Sequence, residues 1–192
     1  MPVPNFTDQQ ILAARPPKNS VSPLRPYAFL NETEYIATGQ TAEISTILLT
    51  NRECPFRCLM CDLWKNTLDE SVAPGQIIQQ IRYALGNLPP ATRIKLYNSG
   101  NFFDARAVPP KDLPGIAALV QCYDRVIVEN HPLLCNQSCL DFQQQLTGQL
   151  EIALGLETVH PDILKALNKR MTLDDFARAN EFLLNHAIDT RV

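Results

Sequence analysis

The chain has 192 residues, of which 45% are hydrophobic and 19% charged, and its formal net charge is −3. This length and composition are typical of one globular domain with its own hydrophobic core. The charge balance gives no global basic surface of the kind used by nucleic-acid-binding domains, although a local patch is compatible with it. No apolar run approaches the roughly 20 residues of a membrane span, so we expect no membrane partner. Six cysteines in such a chain predict a reducing, cytoplasmic location rather than a disulfide scaffold.

Residues 1–40 are rich in proline and predict an N-terminal extension rather than a domain. Thr7 and Gln10 have the spacing of a capping box, which predicts a short helix that ends before Pro16. The rest of the segment is predicted to be an extended arm that covers one end of the following domain. A loose tail is the alternative.

From residue 41 onwards, strand-like runs alternate with amphipathic helical segments, which predicts a parallel α/β arrangement. Strands are predicted at 42–49, 93–98, 125–129 and 149–156, with the opening of a fifth at 188–192. Helices are predicted at 74–88, at 110–123, within 135–147, at 161–168 and after Thr172, which can form a cap with Asp175. The segment 41–192 therefore contains four complete βα units and part of another.

Three cysteines, Cys54, Cys58 and Cys61, follow the first predicted strand with the spacing C-x3-C-x2-C. A short loop is a natural place for three thiolates to converge on one inorganic centre. A ferredoxin cluster and a structural zinc site each use four protein ligands. Three cysteines on a [4Fe–4S] cube leave one iron open to another molecule. The alternatives are three incidental cysteines or a non-catalytic zinc-binding module with a fourth ligand such as His131 or Asp62.

This loop resembles the signature of the radical SAM superfamily, C-x3-C-x-Φ-C, with Met60 at the usually aromatic position Φ. The resemblance implies that Cys54, Cys58 and Cys61 hold a [4Fe–4S] cluster whose open iron binds S-adenosylmethionine (SAM). In that family the reduced cluster donates one electron to the sulfonium, and the S–C5′ bond breaks to give methionine and a 5′-deoxyadenosyl radical. The resemblance also implies a reductant such as a flavodoxin or ferredoxin.

The radical SAM core is an open barrel of six βα units, so the resemblance implies an incomplete barrel of about four to five units in residues 41–192. We therefore expect the chain to be a fragment of a longer core. We also expect an open sheet edge at the last strand and a partly uncovered apolar face at Leu154 and Leu156. Such a chain would be less stable than a full core and prone to association.

Further segments resemble SAM-binding motifs of the family. Ser99, Gly100 and Asn101 occupy the place of its Gly-Gly-Glu motif, whose backbone binds the SAM amino group, with Ser and Asn replacing Gly and Glu. Glu157 matches the acidic residue of a Gly-x-Glu motif in the elongator and methylthiotransferase branch, which binds the SAM ribose or amino group. Lys169 matches a cation that meets the SAM carboxylate. These five residues are the SAM contacts that the resemblance implies.

Each of these assignments has a simpler alternative. Residues 99–101 can be a plain strand-to-helix turn, Glu157 a solvated carboxylate, and Lys169 a cation that complements a helix C-terminus.

Several other residues near the third strand are candidates. Glu129 and His131 correspond to a Glu-x-Arg-Pro segment of the elongator-like branch, which implies that they face the substrate. His131, Cys135 and Cys139 are spaced by four and leave a second metal site open, although Pro132 interrupts a continuous helix and free cysteines are commonly buried.

The runs 95–104, 155–158 and 168–169 resemble the radical SAM proteins of archaeosine biosynthesis, which act on a modified tRNA base but have a longer cysteine loop. RNA or tRNA modification is therefore one expected class of reaction.

Overall fold

The computed structural model describes residues 4–36 and 38–192. It is built on one six-stranded sheet in the order β1-β2-β3-β4-β5-β6. The strands are β1 (Ala28–Tyr35), β2 (Thr41–Leu48), β3 (Arg93–Tyr97), β4 (Arg125–Glu129), β5 (Gln149–Ala153) and β6 (Asp189–Arg191). β1 is antiparallel to β2, and every later neighbouring pair is parallel. The predicted α/β class is confirmed.

The helices that connect the strands follow the apolar periodicity of the sequence. They are α1 (Asp8–Ala13), α2 (Gln76–Leu85), α3 (Leu113–Leu119), α4 (Gln137–Gln143), α5 (Pro161–Ala166) and α6 (Leu173–Asn185). Both predicted caps are present, because Thr7 accepts from the Gln10 backbone N–H and Thr172 accepts from that of Asp175. None of the helices described is long and apolar enough to cross a bilayer.

The N-terminal segment differs from the predicted arm. Residues 28–35 form β1 and pair with β2 along the whole strand. Phe29 turns to the helical side, where its ring centroid lies 5.8 Å from that of Tyr83. The sequence did not predict this strand because its apolar residues are consecutive at 28–30 and its next four residues, 31–34, are polar, so no hydrophobic alternation marks it. Helix α1 contacts the connection between α5 and α6, where the Asp8 carboxylate accepts from the Asn168 side chain at 2.8 Å.

The two faces of the sheet differ in chemistry. Alternate side chains on β2 to β5 are fully buried apolar groups that pack with the helices: Ile47, Ile94, Leu96, Val126, Val128, Leu150 and Ile152. Leu154 continues this face and is 1% exposed, so the expectation of an uncovered Leu154 is wrong. Its strand ends at Ala153 rather than at 156, and Glu157 beyond it has a φ of +69°.

The opposite face carries a charged network. Lys95 of β3 pairs with Glu32 at 2.8 Å and with Glu34, both on β1. Arg191 of β6 pairs with Glu151 of β5 at 2.6 Å and with Glu34 at 3.0 Å. In a flat sheet, strands β1 and β6 would be about 24 Å apart, because five spacings of about 4.8 Å separate them. An ion pair between them therefore requires a strongly curved sheet whose charged face is concave.

Candidate functional site

A cavity of about 350 Å³ lies at the carboxyl ends of the parallel strands. This is where ligands bind in open α/β sheets, because the loops of neighbouring strands converge there. Its walls come from the loops after β2, β3, β4 and β5 and from the α5–α6 connection. All eight residues predicted from the sequence line it: Cys54, Cys58, Cys61, Ser99, Gly100, Asn101, Glu157 and Lys169.

The loop 53–64, which we call the cysteine loop, is held at several points along its length. The Glu53 backbone N–H donates to the Leu68 carbonyl at 2.9 Å, and the Cys61 N–H closes a turn onto the Cys58 carbonyl at 3.2 Å. The Leu59 N–H donates to the Leu167 carbonyl at 2.9 Å, which joins the loop to the end of α5. The cysteines therefore sit on a braced loop rather than on a free one.

Burial and neighbouring groups shift the pKa values of two of the thiols. Burial raises the pKa of Cys54 to about 11, against the stabilising N–H groups of Phe56 and Asn101, and the neighbouring Cys58 and Cys61 raise it further. Burial also raises the pKa of Cys58, while the Lys169 ammonium lowers it. Within 4–36 and 38–192, no three His, Cys, Asp or Glu side chains are arranged to hold a metal ion.

The three cysteines are the ligands that the sequence implies for a [4Fe–4S] cluster. Three cysteines share one cavity wall, and none of the three is in a disulfide. Placing three thiolates together is costly without a cation, and ligation to iron offsets that cost because the metal replaces the protons. Three thiols beside a cavity are the donor types that a [4Fe–4S] cube with one open iron requires, although the described side chains are not drawn around a single point.

The loop after β3 lies directly against the first cysteine. A Cβ at Gly100 would be 3.3 Å from the Cβ of Cys54, so glycine permits this close approach. Asn101 is 3% exposed, and its side-chain nitrogen donates to the Cys54 sulfur at 3.1 Å. Ser99 has a φ of +53°, and its hydroxyl is 2.9 Å from the Tyr27 hydroxyl. The segment is therefore more than a plain turn, because it contacts the cysteine loop.

Glu129, at the end of β4, organises that same loop. Its Oε1 accepts from the backbone N–H of Asn98 at 2.7 Å and from that of Gly100 at 3.1 Å. Burial raises the pKa of Glu129, and these N–H groups partly counteract the rise. The carboxyl group lines the cavity and also fixes the shape of the 98–100 backbone, while its expected orientation towards a substrate stays a prediction.

His131 joins three loops. Its Nε2 donates to the Lys169 carbonyl at 2.9 Å, and its Nδ1 accepts from the Leu133 N–H at 3.2 Å. The ring stacks on Phe56 of the cysteine loop, with 3.8 Å between centroids. Burial lowers the pKa of His131 to about 4, so the ring is neutral near pH 7.

Because both ring nitrogens of His131 are engaged, this arrangement offers none to a metal. His131 is therefore not placed as the fourth ligand of a zinc site, nor as a partner of Cys135 and Cys139 in a second site. Asp62, the other candidate for zinc, pairs with Lys65 at 3.0 Å and its side chain is 72% exposed.

Glu157 and Lys169 are paired with each other. Their Oε1 and Nζ atoms are 2.8 Å apart, and Lys169 is 7% exposed. A Cβ at Gly155 would be 2.8 Å from both of these atoms, so glycine makes space for the pair. Glu157 is thus a partner in an ion pair rather than a simply solvated carboxylate.

Contacts that the sequence did not predict hold the cavity walls together. Asn168 donates to the Arg57 carbonyl at 2.9 Å and to Asp8 of α1 at 2.8 Å. Arg15 pairs with Glu53 at 2.7 Å. These contacts join parts of the chain that are distant in sequence, and no local sequence pattern predicts them. Asn168 lies in the run 168–169 that the resemblance singles out, and its φ of +54° falls in a region that Asn tolerates.

Comparison with known proteins gives one distant relative. The chain is 28% identical over 158 residues to an uncharacterized protein of Methanocaldococcus jannaschii, a match that covers 74% of this chain and 43% of that protein. The chain therefore spans less than half the length of this relative. No family model matches the chain. No solved structure matches it either.

Proposed function

We propose that this chain is part of a radical SAM enzyme that binds a [4Fe–4S] cluster through Cys54, Cys58 and Cys61 and uses it to cleave SAM. The observation that carries the proposal is the shared cavity. Three cysteines and five further residues line one cavity at the strand ends. They belong to separate motifs that together span 116 positions of the chain, from Cys54 to Lys169. Residues after the strands converge in any parallel sheet, so the specific support is that the three thiols of the C-x3-C-x2-C loop lie in this cavity beside the matched residues of the other loops.

When bound, the reduced cluster would supply the single electron that breaks the S–C5′ bond of SAM, with a flavodoxin or ferredoxin as the source of that electron. The residues of this chain would bind and orient SAM. Lys169 would attract its carboxylate, in competition with Glu157. The SAM ammonium is a donor and would use carbonyl oxygens of the 99–101 loop, because a backbone N–H cannot accept a hydrogen bond. The N–H groups of Asn98 and Gly100 donate to Glu129 instead.

We further propose that the curved sheet is an incomplete barrel. The ion pair between Glu34 and Arg191 supports this, because it brings the first and last strands of the sheet together across the concave face. The cavity would then lie over the mouth of that barrel, the position in which the mouths of βα barrels hold their sites.

The experiment that tests the proposal is anaerobic reconstitution with iron and sulfide. We expect about four irons per chain, the content of one [4Fe–4S] cluster, and a broad visible absorption that dithionite bleaches. Addition of SAM and dithionite should yield 5′-deoxyadenosine and methionine. The triple variant C54A/C58A/C61A should take up no cluster.

The matched control is C122A, because Cys122 is exposed and lies outside the cavity. This variant should load as the wild type does. Tight binding of a single zinc, with no uptake of iron, would overturn the proposal in favour of the zinc-binding module. Equal iron loss in C122A and in the triple variant would show that the uptake is adventitious.

A further inference from the structure

Asn101 makes a contact that the motif match does not explain. Its side-chain nitrogen lies 3.1 Å from the sulfur of Cys54, and the residue is 3% exposed. The amide is therefore shielded from water and directed at one of the three thiols. An acidic residue at this position, as in the family motif, could not donate to that sulfur when ionised.

The orientation of this amide is fixed by its other end. The Asn101 Oδ1 accepts from the backbone N–H of His131 at 2.7 Å. A backbone N–H can only donate, so the amide oxygen must face His131 and the NH2 group must face Cys54. His131 is itself held by the Lys169 carbonyl and by stacking on Phe56. The donor is thus preorganised before any ligand binds.

We infer that Asn101 is the residue that sets the reduction potential of the cluster, by donating a hydrogen bond to the Cys54 ligand. The inference rests on the proposed function. Reduction adds negative charge to the cluster and its thiolates, and a fixed N–H donor stabilises that charge. The hydrogen bond therefore favours the reduced state and raises the potential, as hydrogen bonds to cluster sulfurs do in general.

The chain contains a matched control for this contact. Asn130 is 4% exposed, its nitrogen donates to the Cys135 sulfur at 3.6 Å, and its oxygen accepts from the Phe103 N–H at 3.3 Å. Like Asn101, it donates to a sulfur, accepts from a backbone N–H and lines the same cavity. It differs because its nitrogen also donates to the His131 carbonyl at 3.3 Å and because Cys135 is not a proposed ligand. Substitution of either asparagine removes a buried amide beside the cavity. Only the Asn101 variants remove the donor to the sulfur of a proposed cluster ligand, Cys54.

The experiment is a redox titration of the reconstituted full chain, followed by EPR of the reduced cluster. The variants are N101L and N101D, with N130L and N130D as controls. Leucine has the branched shape of asparagine with neither donor nor acceptor, while aspartate keeps the acceptor for the His131 N–H. We expect N101L to weaken one-electron reduction about tenfold, which lowers the midpoint potential by about 59 mV. N101D should lower it further because of its charge, and N130L should keep the wild-type potential.

The outcomes separate the inference from the proposed function. A wild-type potential in loaded N101L, or an equal fall in N101L and N130L, overturns the role of Asn101 while the proposed function stands. If neither Asn101 variant holds a cluster but N130L does, Asn101 maintains the loop instead of tuning its potential, and the inference is also wrong. A wild-type chain that takes up no iron overturns the proposed function and the inference with it.

Discussion

Lys95 is the residue whose removal tests the charged concave face most directly. Its ammonium lies between Glu32 and Glu34, and its side chain is 6% exposed. The variant K95M keeps most of the apolar stem and removes the charge. Two carboxylates on the same strand would then lose their shared partner.

The expected cost follows from how buried the partners are. Removing one member of a buried ion pair costs about 3–5 kcal/mol, because the remaining charge stays desolvated. The carboxylates are less buried than Lys95, since the side chains of Glu32 and Glu34 are 33% and 27% exposed. Water relieves part of the penalty, and Glu34 keeps Arg191 as a partner. We therefore expect K95M to lower the free energy of unfolding by about 2–3 kcal/mol at pH 7.

The loss should depend on pH with a defined sign. Hydrogen bonds from Lys95 and Thr46 lower the pKa of Glu32 below its ordinary value of 4.5. Burial raises the pKa of Glu34, but its hydrogen bonds from Lys95 and Arg191 outweigh this and leave it lowered too. Groups with a lowered pKa in the folded state stabilise the protein above about pH 4.5 and lose that contribution as pH falls through the folded pKa. The difference between wild type and K95M should therefore shrink in acid.

Urea denaturation followed by circular dichroism measures both effects, at pH 7 and at about pH 3.5, with midpoints compared at equal m-values. The triple variant E32Q/E34Q/K95M is the control, because it removes the unpaired charges and should recover part of the stability. A K95M variant that is as stable as the wild type at pH 7, or one whose loss grows in acid, would refute the reasoning.

Three further substitutions test local features. Ala187 follows α6 with a φ of +57°, so A187G should raise the free energy of unfolding by about 1 kcal/mol; a lower thermal midpoint would contradict this. T172A removes the cap of α6 and should cost about 1 kcal/mol, read from the same denaturation curves, while no change would show that water replaces the cap. G155A introduces a Cβ 2.8 Å from Glu157 and Lys169, so SAM affinity measured by calorimetry on loaded protein should fall, and an unchanged affinity would remove this pair from the SAM site.

The sequence predicted most of the parallel sheet because each strand and helix carries its own periodicity. β3 shows this well, because Ile94 and Leu96 alternate with polar residues, and β4 is a short apolar run between polar ends. The capping boxes are equally local. β1 escaped prediction because its inward side chains, Glu32 and Glu34, are polar and only their partners on β3 and β6 explain them. A strand stabilised by ion pairs with distant strands has no signature in its own residues.

The candidate site was also predicted only in part. Strand ends meet at one edge of a parallel sheet, so the residues that line the cavity could be inferred from their positions. Their mutual contacts could not, because these depend on side-chain geometry between separate loops. Asn101 was placed in a motif whose backbone matters, yet its amide contacts Cys54. Lys169 was assigned to a ligand, yet it pairs with Glu157 in the structure.

The ion pair between Glu34 and Arg191 also has a consequence for folding. The two residues are 157 positions apart in the chain. Contacts between residues so far apart in sequence form late, because closing a long loop costs conformational entropy before the contact can offset that cost. The apolar face can form step by step as each βα unit packs on its predecessor. The charged concave face is complete only when β6 joins β5, so Glu34 gains its second cation at the last step of assembly.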